Sequence, residues 1–327
     1  MQGAGLIPSF SAHRARHTVN SPVFASLIPV ILFIALGFFA GRRGWIRATS
    51  VKDLSNLAFM LLIPALLFRT MSNVHVEQLD LRPIGAYFFA ALGFFAVLIA
   101  VYGFTARGVV MALAGVFSNM VMIGITLVEL AYGQAGLVTL LTLVSVHALI
   151  LLTTATVMLE LAVAHTGPVK AGALLTTAAR ALVGSLLHPI PLPILCGLLF
   201  AQTGWQLPAV VDKPLALLGS AFGPVSLVLV GVTLARSSVG KHWRDALGIG
   251  MCKNLFLPAL VGLSAWGFGI TGLPLTVMVV AAGLPMGANV FLFSQRYGVA
   301  HELVTASIGL STMLALVTLS AWMLWLA

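Results

Sequence analysis

The chain has 327 residues, of which 60% are hydrophobic and only 8% charged, with a formal net charge of +9 and a mean hydropathy of +1.08. Soluble domains carry about 25% charged residues, so this composition excludes an ordinary globular protein and implies one that crosses a bilayer many times. Nucleic acid is excluded as the partner of the positive charge, because the Lys and Arg residues lie mostly between apolar runs, where they orient a membrane protein.

Residues 1–21 form a polar tail with His13, Arg14, Arg16 and His17, and lack the apolar core and cleavage site of a signal peptide. Beyond the tail, a helix needs about 20 apolar residues to cross roughly 30 Å of hydrocarbon. Ten stretches meet that length, near 22–41, 51–72, 84–106, 108–131, 136–163, 185–203, 209–235, 245–268, 273–297 and 303–326. The polar interruption 164–184, with His165, Lys170 and Arg180, then links a first five-helix repeat, 22–163, to a second, 185–327. Gly37, Gly44 and Trp45 of the first half align with Gly197, Gly204 and Trp205 of the second at an offset of 160, and Val51, Leu57 and Pro64 keep that register with Val211, Leu217 and Pro224. An odd number of spans per repeat inverts the second relative to the first, and such pairs place a substrate site near the midplane where the halves meet.

Orientation follows from the cations. Arg14, Arg16, Arg69, Arg82 and Lys213 lie on one side; apart from the intramembrane Lys253, the remaining Lys and Arg residues lie on the other. The positive-inside rule puts the linker in the cytoplasm and both termini outside, although the basic tail alone argues the other way. The expected location is a bacterial inner membrane, with the lipid bilayer as the surrounding partner.

Spans 4 and 9 differ from the others. Span 4 concentrates Ser118, Asn119, Gly124 and Thr126 at mid-span, and span 9 carries Gly283, Pro285, Gly287 and Asn289. Proline removes a backbone donor and glycine weakens a helix, so both spans read as broken helices whose free N–H groups and positive dipole ends suit a carboxylate. Unwound backbone at that depth is tolerated only in protein or beside a wet cavity. The competing reading is close helix packing through small residues. Aligning Tyr132-Gly133 with Tyr297-Gly298 pairs Gly124, not Asn119, with Asn289, so the two asparagines are not equivalent by symmetry.

An ammonium at Lys253 costs about 2.5–3.5 kcal/mol on insertion scales, and eight residues of helix set it about 12 Å beyond Asp245. It attracts an anionic substrate, holds a structural partner, or snorkels to the surface. Glu129 is either a carrier of a coupling proton or interfacial; His147 is either the titrating group of span 5 or a hydrogen-bonded core histidine. Glu160 resembles these, and snorkelling accounts for Arg69. Cys196 and Cys252 read as small buried hydrophobes without metal-ligand spacing. No paired His, carboxylate cluster, phosphate loop or nucleophile elbow appears, so neither an enzyme nor a cofactor or metal is expected.

Phe117-Ser118-Asn119 with Gly124-Ile125 and Tyr132-Gly133, the early Ile63-Pro64-Ala65-Leu66-Leu67-Phe68, Lys253, and the stretch from Leu284-Pro285 to Arg296-Tyr297-Gly298 resemble the auxin efflux carrier family. The similarity spans nearly the whole chain after the tail and is nearest the bacterial branch that includes malonate transporters. It implies a ten-helix fold akin to bile-acid and sodium/proton carriers. Spans 1, 2, 6 and 7 then form a scaffold and homodimer surface, and spans 3, 4, 5, 8, 9 and 10 a mobile transport domain, with spans 4 and 9 crossing at the substrate. By that resemblance the crossover falls on Asn119, Gly124, Thr126, Pro285 and Asn289. Thr126 stands where the family usually has proline, which implies a less sharply broken first crossover. The resulting expectation is a secondary transporter of a small organic anion, a carboxylate such as malonate, working by an elevator-type alternating-access mechanism. The anion is bound by Ser118, Asn119, Gly124, Thr126, Lys253, Pro285 and Asn289, with Glu129 and His147 as candidates for coupling. The alternative is a channel or ligand-sensing membrane protein on the same fold.

Overall fold

A computed structural model of the chain describes residues 22–74, 77, 80–164, 189–237 and 240–327. The tail 1–21 and the linker beyond residue 164 lie outside the described residues. The regular elements among the described residues are helices: α1 Pro22–Arg42, α2 Ala48–Leu57, α3 Ile63–Met71, α4 Arg82–Tyr102, α5 Ala106–Val116 and α6 Ile125–Ala164. They continue as α7 Pro191–Gln202, α8 Ala209–Leu234, α9 Trp243–Met251, α10 Leu257–Gly267, α11 Gly272–Gly283, α12 Asn289–Tyr297 and α13 His301–Trp325. Seven helical stretches, some built from two of these elements, are long and apolar enough to cross a bilayer, while α5, α7 and α11 are apolar but shorter. The protein is an all-helical, multi-pass membrane protein. Its outer wall exposes Leu199, Leu217 and Trp266, and no aqueous surface accommodates that much bare apolar area. Cys196 belongs to this exposed wall and is not the buried hydrophobe the sequence suggested, and Cys252 is half-buried.

Two sequence features shape the spans. The 40-residue helix α6 is two helices joined at Gly133, whose φ of 62° and ψ of −156° no helix interior accepts; glycine tolerates this for want of a Cβ. One-turn π-helices occur at Ala58–Leu62, Met120–Gly124 and Cys252–Phe256. The first and third are each followed two residues on by a proline, Pro64 and Pro258, whose ring clashes with the carbonyl four residues earlier. A widened turn relieves that clash. The second is followed by Thr126 and no proline, so the widening there has another origin: Asn119 caps the turn, its Oδ1 accepting from the Met122 N–H at 3.3 Å.

Helix α1 packs along α8. A Cβ on Gly37 would run into the Val228 carbonyl, and one on Gly231 into the Ile34 carbonyl, so the two backbones touch through reciprocal glycines. Aligned positions also share a positive φ. Gly44 and Gly204 have φ of 73° and 69°, and each precedes an exposed tryptophan. Gly133 and Gly298 agree only in φ, at 62° and 67°, because their ψ of −156° and 28° place them in different turns.

Candidate functional site

Helix α5 stops at Val116 because Phe117 turns extended, with ψ at 108°. Helix α11 stops at Gly283 because Leu284, just before Pro285, is held extended at ψ 152°. The two extended pieces meet antiparallel through an isolated bridge between Ser118 and Met286. The Asn119 N–H donates to the Pro285 carbonyl and the Gly287 N–H to the Phe117 carbonyl, each at 2.9 Å. Backbone left unpaired by the ending helices is thereby paired across the contact. From this contact one helix restarts behind Asn119 and another at Asn289, so two helix N-termini begin side by side.

Against them lies a cavity of about 340 Å³. Its polar lining comprises Ser55, Asn56, Ser118, Asn119, His147 and Asn289, and its walls are Phe59, Met60, Phe117, Met120, Met122 and Val144. No described lining residue carries a fixed charge. His147 is 4% exposed, its ring 4.8 Å from that of Phe117 and 5.9 Å from that of Tyr87. Neither of its ring nitrogens has a hydrogen-bond partner, which overturns the reading of a hydrogen-bonded core histidine.

Lys253 is fully buried and does not snorkel. Its Nζ donates to the carbonyls of Ala282 and Leu284, at 2.5 and 2.7 Å, and it lines no part of the cavity. An amine at that point satisfies carbonyls that the end of α11 leaves open and complements its negative dipole end. The neighbouring Asn254 continues the brace. Its Nδ2 donates to the Ser311 carbonyl, its Oδ1 accepts from Ser311 Oγ, and Ser311 Oγ accepts from the Met286 N–H at 3.0 Å. Trp322 Nε1 donates to the Asn254 carbonyl. The π-turn Cys252–Phe256 thus directs two successive polar side chains at the second extended piece.

Other expected residues fall elsewhere. Gly124 packs under the Leu284 side chain, close enough that a Cβ would collide with it. Pro285 faces away from the cavity, beside Leu27, Ile123 and Thr312. Thr126 and Glu129 line a second cavity, also about 340 Å³, with Arg69, Ser220 and Gly223. The second span touches both: residues 55–60 border the first cavity and Leu66 and Arg69 the second. About ten residues of helix separate them, or roughly 15 Å along the axis, so the cavities are distinct and set apart along that span. Arg69 does more than snorkel, because its guanidinium grips Asp212 in two bonds, Nε to Oδ1 at 2.7 Å and Nη2 to Oδ2 at 3.2 Å. Glu160 accepts from the Tyr297 hydroxyl at 2.9 Å.

Sequence reasoning missed Ser55, Asn56, Asn254 and Ser311. The adjacent polar pair Ser55-Asn56 was a readable signal, since two uncharged polar residues near the start of an apolar span need a reason; Ser311 looked like any small residue in a membrane helix.

A family model described as "Membrane transport protein" matches residues 22–323. Similar proteins include a "Putative malonate transporter" of Rhizobium meliloti (strain 1021), 26% identical over 305 residues covering 90% of this chain and 92% of that protein. The "Uncharacterized transporter YfdV" of Escherichia coli (strain K12) is 23% identical over 309 residues, 90% and 95% of the two chains. The "Auxin efflux carrier component 8" of Arabidopsis thaliana is 25% identical over 169 residues, half of this chain and 45% of that one. With the model matching nearly all of the chain after the tail, this protein belongs to the membrane transport protein family of the auxin efflux carriers, a family of transporters and not of enzymes.

Proposed function

We propose that the protein is a secondary carrier of a small organic anion, with a carboxylate such as malonate held at the contact between residues 117–119 and 284–289. The observation that carries this reading is the pair of helix N-termini, at Asn119 and Asn289, opening side by side onto a neutral polar cavity. Their dipoles favour an anion, and the Ser118, Asn119 and Asn289 side chains supply orientation. Lys253 acts as a positioning residue, fixing the end of α11 and through it the extended piece, and Gly124 and Pro285 shape the contact without touching the anion.

In this reading the chain consists of two inverted five-helix repeats, supported by the aligned turns at Gly44 and Gly204, which are alike in φ and each lead into an exposed tryptophan. Spans 4 and 9 are the discontinuous pair. The glycine-packed α1–α8 unit serves as scaffold and homodimer surface, and the transport domain slides against it as an elevator, exposing the anion first to one cavity and then to the other. The first cavity faces the cytoplasm of a bacterial inner membrane, with both termini outside.

The test is uptake of labelled malonate by proteoliposomes. Asn119→Ala and Asn289→Ala should abolish it while the protein stays folded, and wild-type rates in either variant would reject that residue's role. Counterflow of label against an unlabelled gradient is expected of a carrier; its absence together with single-channel currents would reassign the protein as a channel.

A further inference from the structure

We propose that His147 carries one proton into the first cavity with each guest carboxylate, so that the bound state is an imidazolium–carboxylate pair. This inference rests on the carboxylate reading above and adds to it the group that balances the charge.

Three observations lead to it. The cavity has two helix N-termini to attract an anion, yet among its described lining residues no cation to neutralise one. Burying a carboxylate against Phe59, Met60, Met120 and Val144 without a counter-charge is unfavourable however good its hydrogen bonds. Lys253, the nearby base, is engaged by two backbone carbonyls and does not reach the cavity. His147 is the titratable side chain among the described lining residues, and both its nitrogens lack partners although the residue is 4% exposed. Native proteins seldom leave a buried polar group unmatched, and where they do, a missing ligand is a physical explanation. His188, next to the lining Pro189, lies outside the described residues.

The groups facing His147 fit this role. On α4 stands Tyr87, whose hydroxyl lies 3.4 Å from Ser118 Oγ. From the extended piece comes Phe117, and Lys253 keeps its amine on the Ala282 and Leu284 carbonyls. The proton comes from water at the cavity's open end and lodges on the free ring nitrogen. Both ring N–H groups are then donors, and a carboxylate oxygen accepts from one of them. When the guest leaves, the proton returns to water on the side of departure, and no electrons move.

Calorimetry of the purified full-length protein with malonate, succinate and acetate as probes, in two buffers of different ionisation enthalpy, counts the protons. Uptake of about one proton per anion is expected, with affinity falling toward tenfold per pH unit on the alkaline side. In His147→Gln, uptake should fall to near zero and the pH dependence should flatten. Binding without proton uptake in the wild type overturns the inference and leaves the carboxylate reading standing. Full uptake in His147→Gln moves the proton to another group and also overturns it. If no probe binds, the carboxylate reading itself fails and takes this inference with it. Infrared difference spectra of the wild type remove any dependence on the variant's folding. Probe addition should convert imidazole bands to imidazolium, and a new protonated-carboxyl band in their place contradicts the proposal.

Discussion

The two cavities, each of about 340 Å³, differ in chemistry. The first offers amides, hydroxyls and one imidazole; the second holds an arginine already paired with Asp212 and an exposed glutamate, Glu129. The first presents a guest with neutral donors at two helix starts; the second has its cation paired with Asp212 and a carboxylate, Glu129, beside it. Under the proposed carrier reading, the first binds the anion and the second releases it. Preorganised neutral donors discriminate by geometry, whereas a paired surface ion is screened by water and contributes little.

That contrast can be broken at several points. The largest effect should come from the first cavity. Asn289→Ala removes a hydrogen bond to a charged guest, a loss of about 1.5–3 kcal/mol, or roughly tenfold to 150-fold in affinity. Malonate binding by calorimetry checks it, and a change under threefold contradicts the assignment. Lys253→Met should act on stability instead. It leaves the Ala282 and Leu284 carbonyls without their donor, at about 1–3 kcal/mol. A lowered melting temperature with unchanged malonate affinity in the folded fraction separates a positioning role from direct contact with the anion. The smallest effect belongs to the second cavity. Asp212→Asn breaks a pair whose side chains are 42% and 33% exposed, so stability should change by only about 0.2–1 kcal/mol. Malonate affinity at the first cavity should stay at the wild-type value. A loss as large as that of Asn289→Ala would erase the distinction between the cavities.

What the sequence revealed and what it hid follow the same physical division. Asn119, Asn289 and Ser118 were visible because amides and hydroxyls at the middle of an apolar span stand out against hydrocarbon. Gly44 and Gly204 were visible because a positive φ favours glycine, so aligned glycines there carry geometry. Lys253 drew the eye for its charge, but charge alone does not say what offsets it. The answer lies in carbonyls about thirty residues away, at a helix end that no local pattern announces. Thr126, in the place of the family's proline, suggested a blunted break. The interruption instead lies at Phe117–Asn119, upstream of that position, and the widened turn is capped by Asn119. Ser55 and Asn56 escaped because reading each span alone cannot tell which face of one meets the cavity of another.

Sidedness is the most direct test of the central claim, that one contact separates two cavities reached from opposite faces of the membrane. Single cysteines at Ala288 and at Glu129, in a background with Cys196→Ser and Cys252→Ala, would be labelled with an impermeant maleimide in right-side-out and inside-out vesicles. The account expects Ala288→Cys to react from the inside face alone and Glu129→Cys from the outside face alone. Reaction of both from the same face would contradict it.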